Sequence, residues 1–169
     1  MIETERLLLK KISEEDIDLI FEINNDPGCI EFNGWDSMSL EKCKDVIDNW
    51  IDKYKNSELI GVFCVKYKDT NDKIGMAYII DYKEPNQFEI GFRLRSACWN
   101  RGYAKEITQG FTRYAENKLK ANEVVAEVFR GNLRSRNVFE KLGFEESVHP
   151  DGEDGLIYRH AINKGKRLG

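Results

Sequence analysis

Residues 87–104 read QFEIGFRLRSACWNRGYA and contain a predicted strand, a short loop and the start of a predicted helix. Hydrophobic side chains alternate with other side chains along 87–94, as expected of a strand with one buried face. The opposite face carries Glu89, Gly91 and Arg93. A carboxylate and a glycine are unusual in mid-strand, because glycine weakens a strand and often marks a bulge or the close approach of a ligand. The pattern therefore indicates a strand that contacts a ligand.

The loop after this strand runs directly into a helix predicted over 103–119. A strand, a glycine-containing loop and a helix start place unpaired backbone N–H groups and the positive end of the helix dipole at one point, where a phosphate can bind. Arg95 and Arg101 add positive charge. A single glycine, Gly102, is weak evidence by itself, so this segment only suggests an anion site.

Strands and helices are predicted along the rest of the chain from hydrophobic periodicity and capping residues. Strands are predicted over 5–11, 59–67, 73–80, 123–129, 144–148 and 155–162, and further helices after Ser13, after Ser39 and over 133–142. Residues 28–38 are expected to form an irregular loop. This order of elements predicts a mixed α/β sheet with helices on both faces.

Residues 130–144 read RGNLRSRNVFEKLGF and open the last predicted helix. Asn132 is a suitable N-cap, and Ser135 and Phe139 follow at helical spacing on one side of the helix. The simpler interpretation is a capped helix that ends at Gly143, with Phe139 in the core. The segment alone does not decide between a ligand site and this structural role.

The composition is that of a globular protein, with 169 residues, 41% hydrophobic residues and 3 prolines. We expect a single domain over 1–169, with its core at about 4–162 and a basic tail at 163–169. The start of the chain lacks an export-type sequence, and no segment reaches the roughly 18 apolar residues of a membrane helix. We therefore expect a cytoplasmic protein without a membrane partner.

Charge and cysteine content limit the partners further. Residues 1–84 carry 11 Lys/Arg and 19 Asp/Glu, a net charge of −8, whereas 85–169 carry 15 and 11, a net charge of +4. An acidic half suits a cationic acceptor and a basic half a phosphorylated ligand; the alternative is an unevenly charged, solvated surface. The overall charge of −4 argues against nucleic acid as a partner.

The four cysteines form no metal-binding pattern, so we expect reduced thiols and no metal.

Taken together, these segments resemble the GNAT acetyl-CoA-dependent N-acetyltransferases, in particular the RimJ/RimL-like branch, over nearly the whole chain. The matching segments follow in the family's order: Thr4-Glu5-Arg6-Leu7, Glu89-Ile90-Gly91, the loop Trp99–Ala104, and Asn132-x-x-Ser135 with Glu140-Lys141-Leu142-Gly143-Phe144. The resemblance implies a GNAT-like acyl-CoA N-acyltransferase fold, with a central, mostly antiparallel twisted sheet of about six to seven strands and helices on both faces.

The resemblance also implies an enzyme that moves an acetyl group from acetyl-CoA to a primary amine by direct attack in a ternary complex, without a metal. The acceptor would be a small-molecule amine or a peptide amine. The alternative is a non-catalytic acyl-CoA-binding or regulatory module, because Phe139 stands where many members have a tyrosine that acts as the acid. Exposed edge strands near the C-terminus could pair with a second copy of the chain, so a homodimer is one expected assembly.

By the same resemblance, acetyl-CoA would lie between the strands 87–94 and 123–129. Its pantetheine arm would pair with backbone at Phe92, Arg93 and Leu94, flanked by Asn132 and Ser135. Its phosphates would bind the loop formed by Trp99, Asn100, Arg101, Gly102, Tyr103 and Ala104. In this loop the small residues match the family's phosphate motif, whereas Trp99 takes the place of a Gln or Arg.

Acetyl transfer needs a base, an oxyanion donor and a partner for the leaving thiolate. Glu89 is the candidate base, acting directly or through water. The alternative role for this carboxylate is an ion pair with Arg93 or another nearby arginine, which would leave removal of the proton to solvent. Backbone N–H groups near Phe92 and Arg93 are the expected oxyanion donors. Ser135 is the candidate thiolate partner because Phe139 cannot donate a proton. Acceptor-binding candidates lie in one loop: Glu31, Trp35 and Asp36.

Overall fold

The computed structural model describes residues 1–31, 36–152 and 154–162. Its strands are β1 (Ile2–Glu3), β2 (Leu7–Lys11), β3 (Gly61–Tyr67), β4 (Lys73–Asp81), β5 (Gln87–Leu94), β6 (Glu123–Phe129), β7 (Glu145–Val148) and β8 (Gly155–Ala161). Its α-helices are α1 (Ile17–Asn25), α2 (Pro27–Ile30), α3 (Leu40–Tyr54), α4 (Tyr103–Tyr114) and α5 (Leu133–Lys141). Short 3-10 turns lie at Glu14–Asp16 and Ser96–Cys98, and a π-helical turn at Ala115–Leu119 extends α4.

The strands form one sheet in the order β1-β2-β3-β4-β5-β6-β8-β7. Neighbouring strands are antiparallel except β5 and β6, which are parallel. The predicted mixed, mostly antiparallel sheet is therefore confirmed. It has eight strands instead of six to seven, because the two-residue strand β1 pairs with β2 and is too short to give a periodic signal.

Helices cover both faces of the sheet, as predicted. On one face, Ile107 and Phe111 of α4 pack against a core that includes Phe63 of β3. On the other, Ile20 of α1 and Ile47 of α3 pack over Val62 and its neighbours. Adjacent residues of β3 thus serve opposite faces, which is the alternation that a two-sided sheet requires.

One predicted loop contains a short helix, and one predicted helix changes type in its last turn. The segment 28–38 is not wholly irregular, because α2 begins at Pro27 and Asp26 accepts a hydrogen bond from the Gly28 N–H at 2.9 Å. Such a cap forms a turn too short for helical periodicity to reveal. The helix predicted over 103–119 has these bounds in the structure, where α4 is followed by the π-helical turn Ala115–Leu119 and capped by Lys120, whose φ is 56°.

Several structural features bear on possible cofactors and partners. All four cysteine side chains are buried and free of disulfides. Within 1–31, 36–152 and 154–162, no group of three or more His, Cys, Asp or Glu side chains could hold a metal ion. Among the described helices, none combines the length and the apolar character needed to span a bilayer.

Candidate active site

A cleft opens in the sheet where β5 and β6 separate. The two strands pair at three positions, from Gln87 with Glu123 to Glu89 with Val125. Beyond these pairs, residues 90–94 of β5 and 127–129 of β6 line opposite walls of a cavity of about 530 Å³. The separation leaves strand backbone of β5 and β6 facing the cavity.

Backbone direction decides which groups of β5 face this cleft. Hydrogen bonds mark both ends of the β4–β5 ladder: Tyr82 N–H to the Gln87 oxygen at 3.0 Å, and Arg95 N–H to the Ile74 oxygen at 2.9 Å. In an antiparallel ladder, every second residue forms hydrogen bonds with the neighbouring strand. Counting from Gln87 and Arg95, Arg93 directs its N–H towards β4. Phe92, the residue between two such positions, directs its N–H and C=O away from β4 and towards the cleft. Of the two expected oxyanion donors, only Phe92 therefore has the required direction.

Trp99 anchors the loop that follows β5. Its Nε1 donates to the Leu94 oxygen at 2.9 Å, and the same oxygen accepts a hydrogen bond from the Cys29 thiol at 3.4 Å. A Cβ at Gly28 would lie 2.8 Å from the indole, so glycine is needed there for the ring to pack. The guanidinium of Arg134, on α5, lies 4.1 Å from the indole centroid. Trp99 thus lines the cleft and also fixes the loop to α2.

The loop enters α4 through two left-handed residues, Asn100 with φ of 60° and Gly102 with φ of 81°. Gly102 is the N-cap of α4, where its freedom from the Cβ penalty is required. The first N–H groups of a helix have no partner within the helix and present partial positive charge. Tyr103 and Ala104 line the cleft beside them, together with Lys105, which sequence reasoning missed although it lies in the first turn.

Arg101 has a different place from the one expected. Its backbone oxygen accepts a hydrogen bond from Arg6 Nη1 at 3.1 Å, and the residue is not among those that line the cleft. The loop therefore presents Asn100, Gly102 and the residues after it to the cleft, whereas Arg101 belongs to the outer side.

Glu89 is half-buried on the face of β5 that faces α1 and α3. It is not among the residues that line the cleft, whereas Tyr78, to which it is hydrogen-bonded, is. Tyr78 Oη donates to Glu89 Oε1 at 2.7 Å. Burial raises the pKa of the Glu89 carboxyl, and the nearby charge of Glu127 raises it further, whereas the Tyr78 hydrogen bond acts in the opposite direction. The alternative pairing with Arg93 is replaced by this hydrogen bond, and Arg93 Nη1 donates to the side-chain oxygen of Asn24.

The reason for glycine at position 91 differs from the one suggested by the sequence. A Cβ on Gly91 would lie 2.4 Å from the ring of Tyr78, its partner on β4. The ring of Tyr78 thus occupies the space that was expected to admit a ligand. Gly91 acts on the site indirectly, because it lets Tyr78 reach Glu89.

Glu127 is an acidic residue of the cleft that sequence reasoning missed. It lies on β6, lines the cleft and has an exposed side chain. Its Oε1 accepts a hydrogen bond from Tyr82 Oη at 2.8 Å and lies 3.3 Å from His149 Nε2. Because the N–H of Asp151 donates to His149 Nδ1, the neutral imidazole carries its proton on Nε2, towards Glu127. Val125 of β6 pairs with Glu89, and residues two apart in a strand lie on the same face. This alternation could have indicated that Glu127 lies on the same face of the sheet as Glu89.

The start of α5 forms another wall of the cleft. The side-chain oxygen of Asn132 accepts the Ser135 N–H at 3.1 Å, so Asn132 is the predicted N-cap. Both residues line the cleft, and Ser135 is half-buried. Gly143 ends the helix with φ of 77°, as expected of a left-handed C-terminal glycine.

Phe139 is part of an aromatic cluster. It is 2% exposed, lines the inner end of the cleft and has ring-centroid distances of 6.0 Å to Phe92, 5.5 Å to Tyr158 and 5.2 Å to Phe144. The prediction that Phe139 lies in the core is confirmed. The cluster connects α5 to β5 and to the C-terminal strands.

The predicted acceptor residues are not brought to the cleft in the described part of the chain. Glu31 follows α2 and Asp36 precedes α3; both are exposed, and neither lines the cleft. Trp35 lies outside the described residues. A cysteine does line the cleft at this side, but burial raises the pKa of Cys29 to about 11, so it is a neutral thiol and a poor nucleophile at neutral pH.

Comparisons with known proteins show the family and the fold of this chain. A model of the acetyltransferase (GNAT) domain matches residues 6–145. An uncharacterized N-acetyltransferase of Bacillus subtilis, YoaA, is 25% identical over 98% of this chain and 90% of its own length. The crystal structure of a GNAT-family acetyltransferase from Bacillus anthracis has a TM-score of 0.78 at 23% identity, over 95% of this chain and 96% of that one.

The fold is also shared with RimL, a ribosomal alpha-N-protein acetyltransferase whose structure was solved in complex with coenzyme A. The TM-score is 0.80 at 14% identity, over 95% of this chain and 97% of that one. The family model spans the first wall of the cleft, the loop at the start of α4 and all of α5. The chain therefore belongs to the acetyltransferase (GNAT) family and has its fold.

Proposed function

We propose that the protein transfers an acetyl group from acetyl-CoA to a primary amine, by direct attack in a ternary complex, as a RimJ/RimL-like N-acetyltransferase. The observation that carries this proposal is the separation of β5 from β6, with the glycine-led start of α4 among the residues that line the cleft. Glu89 is connected to the cleft through Tyr78, which lines the cleft and donates a hydrogen bond to the carboxylate. The high pKa of Cys29 supports direct transfer over a route through that thiol.

The cleft fits acetyl-CoA, which would supply the acetyl group as a reactive thioester. The N–H and C=O of Phe92 face the space that a pantetheine arm would occupy, whereas the Leu94 oxygen is already bonded to Trp99. Backbone N–H groups at the start of α4 and the ammonium of Lys105 suit the phosphates. Asn132 would flank the arm from α5. This arrangement needs no metal.

Glu89 is the proposed general base, acting directly or through a water molecule. Its raised pKa brings the carboxylate closer to the basicity that proton transfer from an ammonium requires. Tyr78 holds the carboxylate through its hydrogen bond. The N–H of Phe92 is the proposed oxyanion donor. Ser135, one turn before Phe139 on α5, is the proposed hydrogen-bond partner of the leaving thiolate.

The pH dependence of the reaction follows from the pKa of Glu89. Only the ionised carboxylate can accept a proton, so kcat/KM falls as the pH drops through a pKa that lies above the usual carboxyl value. Removing the Tyr78 hydrogen bond, which stabilises the ionised form, should move this acidic limb to higher pH. A pH–rate profile of the wild type and Tyr78→Phe tests this; an unshifted limb would contradict the assigned role of Tyr78.

The proposed acceptor is a cationic amine held partly by Glu127. The exposed carboxylate lies in the cleft, and Tyr82 and His149 orient it. For Glu127→Gln, we expect KM for the diamine putrescine to rise about tenfold, because one charge-assisted hydrogen bond is lost. KM for butylamine, which has no second ammonium, should change less. Equal KM values in wild type and variant for both amines would exclude Glu127 from acceptor binding.

The experiment that tests the donor assignment is calorimetric titration with acetyl-CoA. The wild type should bind, and Gly102→Val should weaken binding at least about tenfold, because valine disfavours the left-handed conformation at the start of α4. Gly152→Val is the matched control, since nothing lies within 4 Å of a Cβ there. Equal affinity of the Gly102 variant and the wild type would contradict the assigned phosphate loop.

A second candidate function is a non-catalytic acyl-CoA-binding or regulatory module. It is favoured by Phe139, which offers no proton and is fixed in the aromatic cluster. Acetyl-CoA binding without CoA release in the presence of amines would support it.

We place either activity in one cytoplasmic domain of residues 1–169. We propose a homodimer contact at β7, which is an exposed strand at the edge of the sheet.

A further inference from the structure

We infer that Arg6 is a positioning residue that holds the phosphate-binding loop in its bound-state shape. The inference rests on the proposed function, because it assigns Arg6 a role in acetyl-CoA affinity. Arg6 lies 95 positions before the loop and does not line the cleft. It would therefore act through the loop and not by contact with the ligand.

The guanidinium of Arg6 contacts Arg101 and Tyr103 and lies beside Gly102 between them. Its Nη1 donates to the Arg101 oxygen at 3.1 Å, and its Cζ lies 4.4 Å from the ring centroid of Tyr103. Between them, a Cβ added to Gly102 would lie 3.4 Å from Arg6 Nη2. One side chain thus spans the segment that turns from the loop into α4.

A buried carboxylate fixes Arg6 in this position. Glu106, in the first turn of α4, accepts the Arg6 N–H at 2.6 Å through Oε1 and Arg6 Nε at 2.7 Å through Oε2. Thr4 Oγ1 donates to the same Oε1 at 2.6 Å. Glu106 is 9% exposed, and hydrogen bonds from Thr4 and Arg6 outweigh burial and lower its pKa. The N-terminal segment and the start of α4 are therefore joined by an ionised, hydrogen-bonded pair.

This arrangement determines the direction of a loop N–H. In a trans peptide the C=O and the following N–H point in opposite directions. Because Arg6 holds the Arg101 oxygen, the N–H of Gly102 is directed away from Arg6. Gly102 is left-handed and lines the cleft. Because glycine adopts φ values of either sign with similar ease, the contact of Arg6 with the preceding carbonyl helps to select this conformation.

The effect on folding should be small by comparison. The side chain of Arg6 is 45% exposed, and the buried Glu106 carboxylate keeps its hydrogen bonds from Thr4 and from the backbone N–H of residue 6 when this side chain is replaced. A loss of acetyl-CoA affinity without a matching loss of stability is therefore the signature of positioning. The proposed phosphate contact also makes the effect specific to ligands that carry the phosphates.

The experiment compares acetyl-CoA with S-acetylpantetheine, which has the thioester arm but no phosphates. Binding is measured by calorimetry for the first and by tryptophan fluorescence titration for the second. Arg6→Gln should weaken acetyl-CoA binding about tenfold, the effect of one hydrogen bond from a charged donor, and leave S-acetylpantetheine binding unchanged. Arg6→Lys keeps the positive charge but loses the planar guanidinium with its fixed N–H donors. It should therefore weaken acetyl-CoA binding nearly as much as Arg6→Gln does.

Lys68→Gln is the matched control. Lys68 pairs with Glu3 at 3.3 Å beside the same N-terminal strands, and its loss should leave both affinities unchanged. Equal acetyl-CoA affinity in Arg6→Gln and wild type, or equal loss of both ligands, would overturn the inference. If Arg6→Gln does not fold, Arg6→Lys decides by the same criteria. A wild type that binds neither ligand would overturn the proposed function itself.

Discussion

Glu89→Gln is expected to lower kcat at least about a hundredfold, because a positioned general base contributes about 10²–10⁴-fold to a rate. The substitution keeps the size of the side chain and an oxygen that can accept the Tyr78 hydrogen bond, but removes the basic site. Affinity for acetyl-CoA should be unchanged, since the donor contacts are assigned to backbone and to α4. The measurement is CoA release at saturating amine, with calorimetry for the donor.

The control for this prediction is Glu84→Gln. Glu84 is an exposed carboxylate in the turn before β5, so its replacement removes the same charge from the same region outside the cleft. Its kcat should equal that of the wild type. If Glu89→Gln retains more than half of the wild-type kcat, solvent removes the proton and the carboxylate has only a structural role.

Phe139→Ala is expected to lower the free energy of unfolding by about 3–5 kcal/mol, the range for truncating a buried phenylalanine. Phe139 is 2% exposed and packs against three other aromatic rings, so the surrounding groups cannot easily fill the space left behind. The melting temperature should fall by roughly 10 °C for a chain of this size. Urea unfolding followed by circular dichroism gives the free energy, and calorimetry gives the temperature.

Leu133→Ala is the control on the same helix. Leu133 is 68% exposed, so its truncation should change stability by no more than about 0.5 kcal/mol. A loss of less than about 1 kcal/mol in Phe139→Ala would show that α5 does not depend on the aromatic cluster.

The longer elements of the fold were predictable because they have a clear period. The strands β3 to β6 and the helix after Ser39 follow hydrophobic alternation or helical spacing, and the structure places them close to the predicted bounds. The strand β1 and the helix α2 were not predictable, because elements of two and four residues are shorter than any period. The π-helical turn after Tyr114 also has no sequence signal of this kind.

The site was predictable where it depends on local backbone and less so where it depends on register. Gly102 at the start of α4 and Asn132 at the start of α5 are capping positions that a sequence can indicate. The contact between Tyr78 and Glu89 requires the exact pairing of β4 with β5, and a shift by one residue would place Tyr78 on the other face. Glu127 was missed for the same reason, since its place in the cleft depends on where β6 leaves β5.

The most direct test of the proposed function is CoA release, followed with a thiol-reactive dye, when the purified protein meets acetyl-CoA and a panel of primary amines and N-terminal peptides. The account predicts release that requires both acetyl-CoA and at least one amine of the panel, and that falls at least about a hundredfold in Glu89→Gln. Acetyl-CoA binding with no release for any amine would contradict the catalytic assignment and favour the binding module. Failure to bind acetyl-CoA would contradict the account of the cleft as a whole.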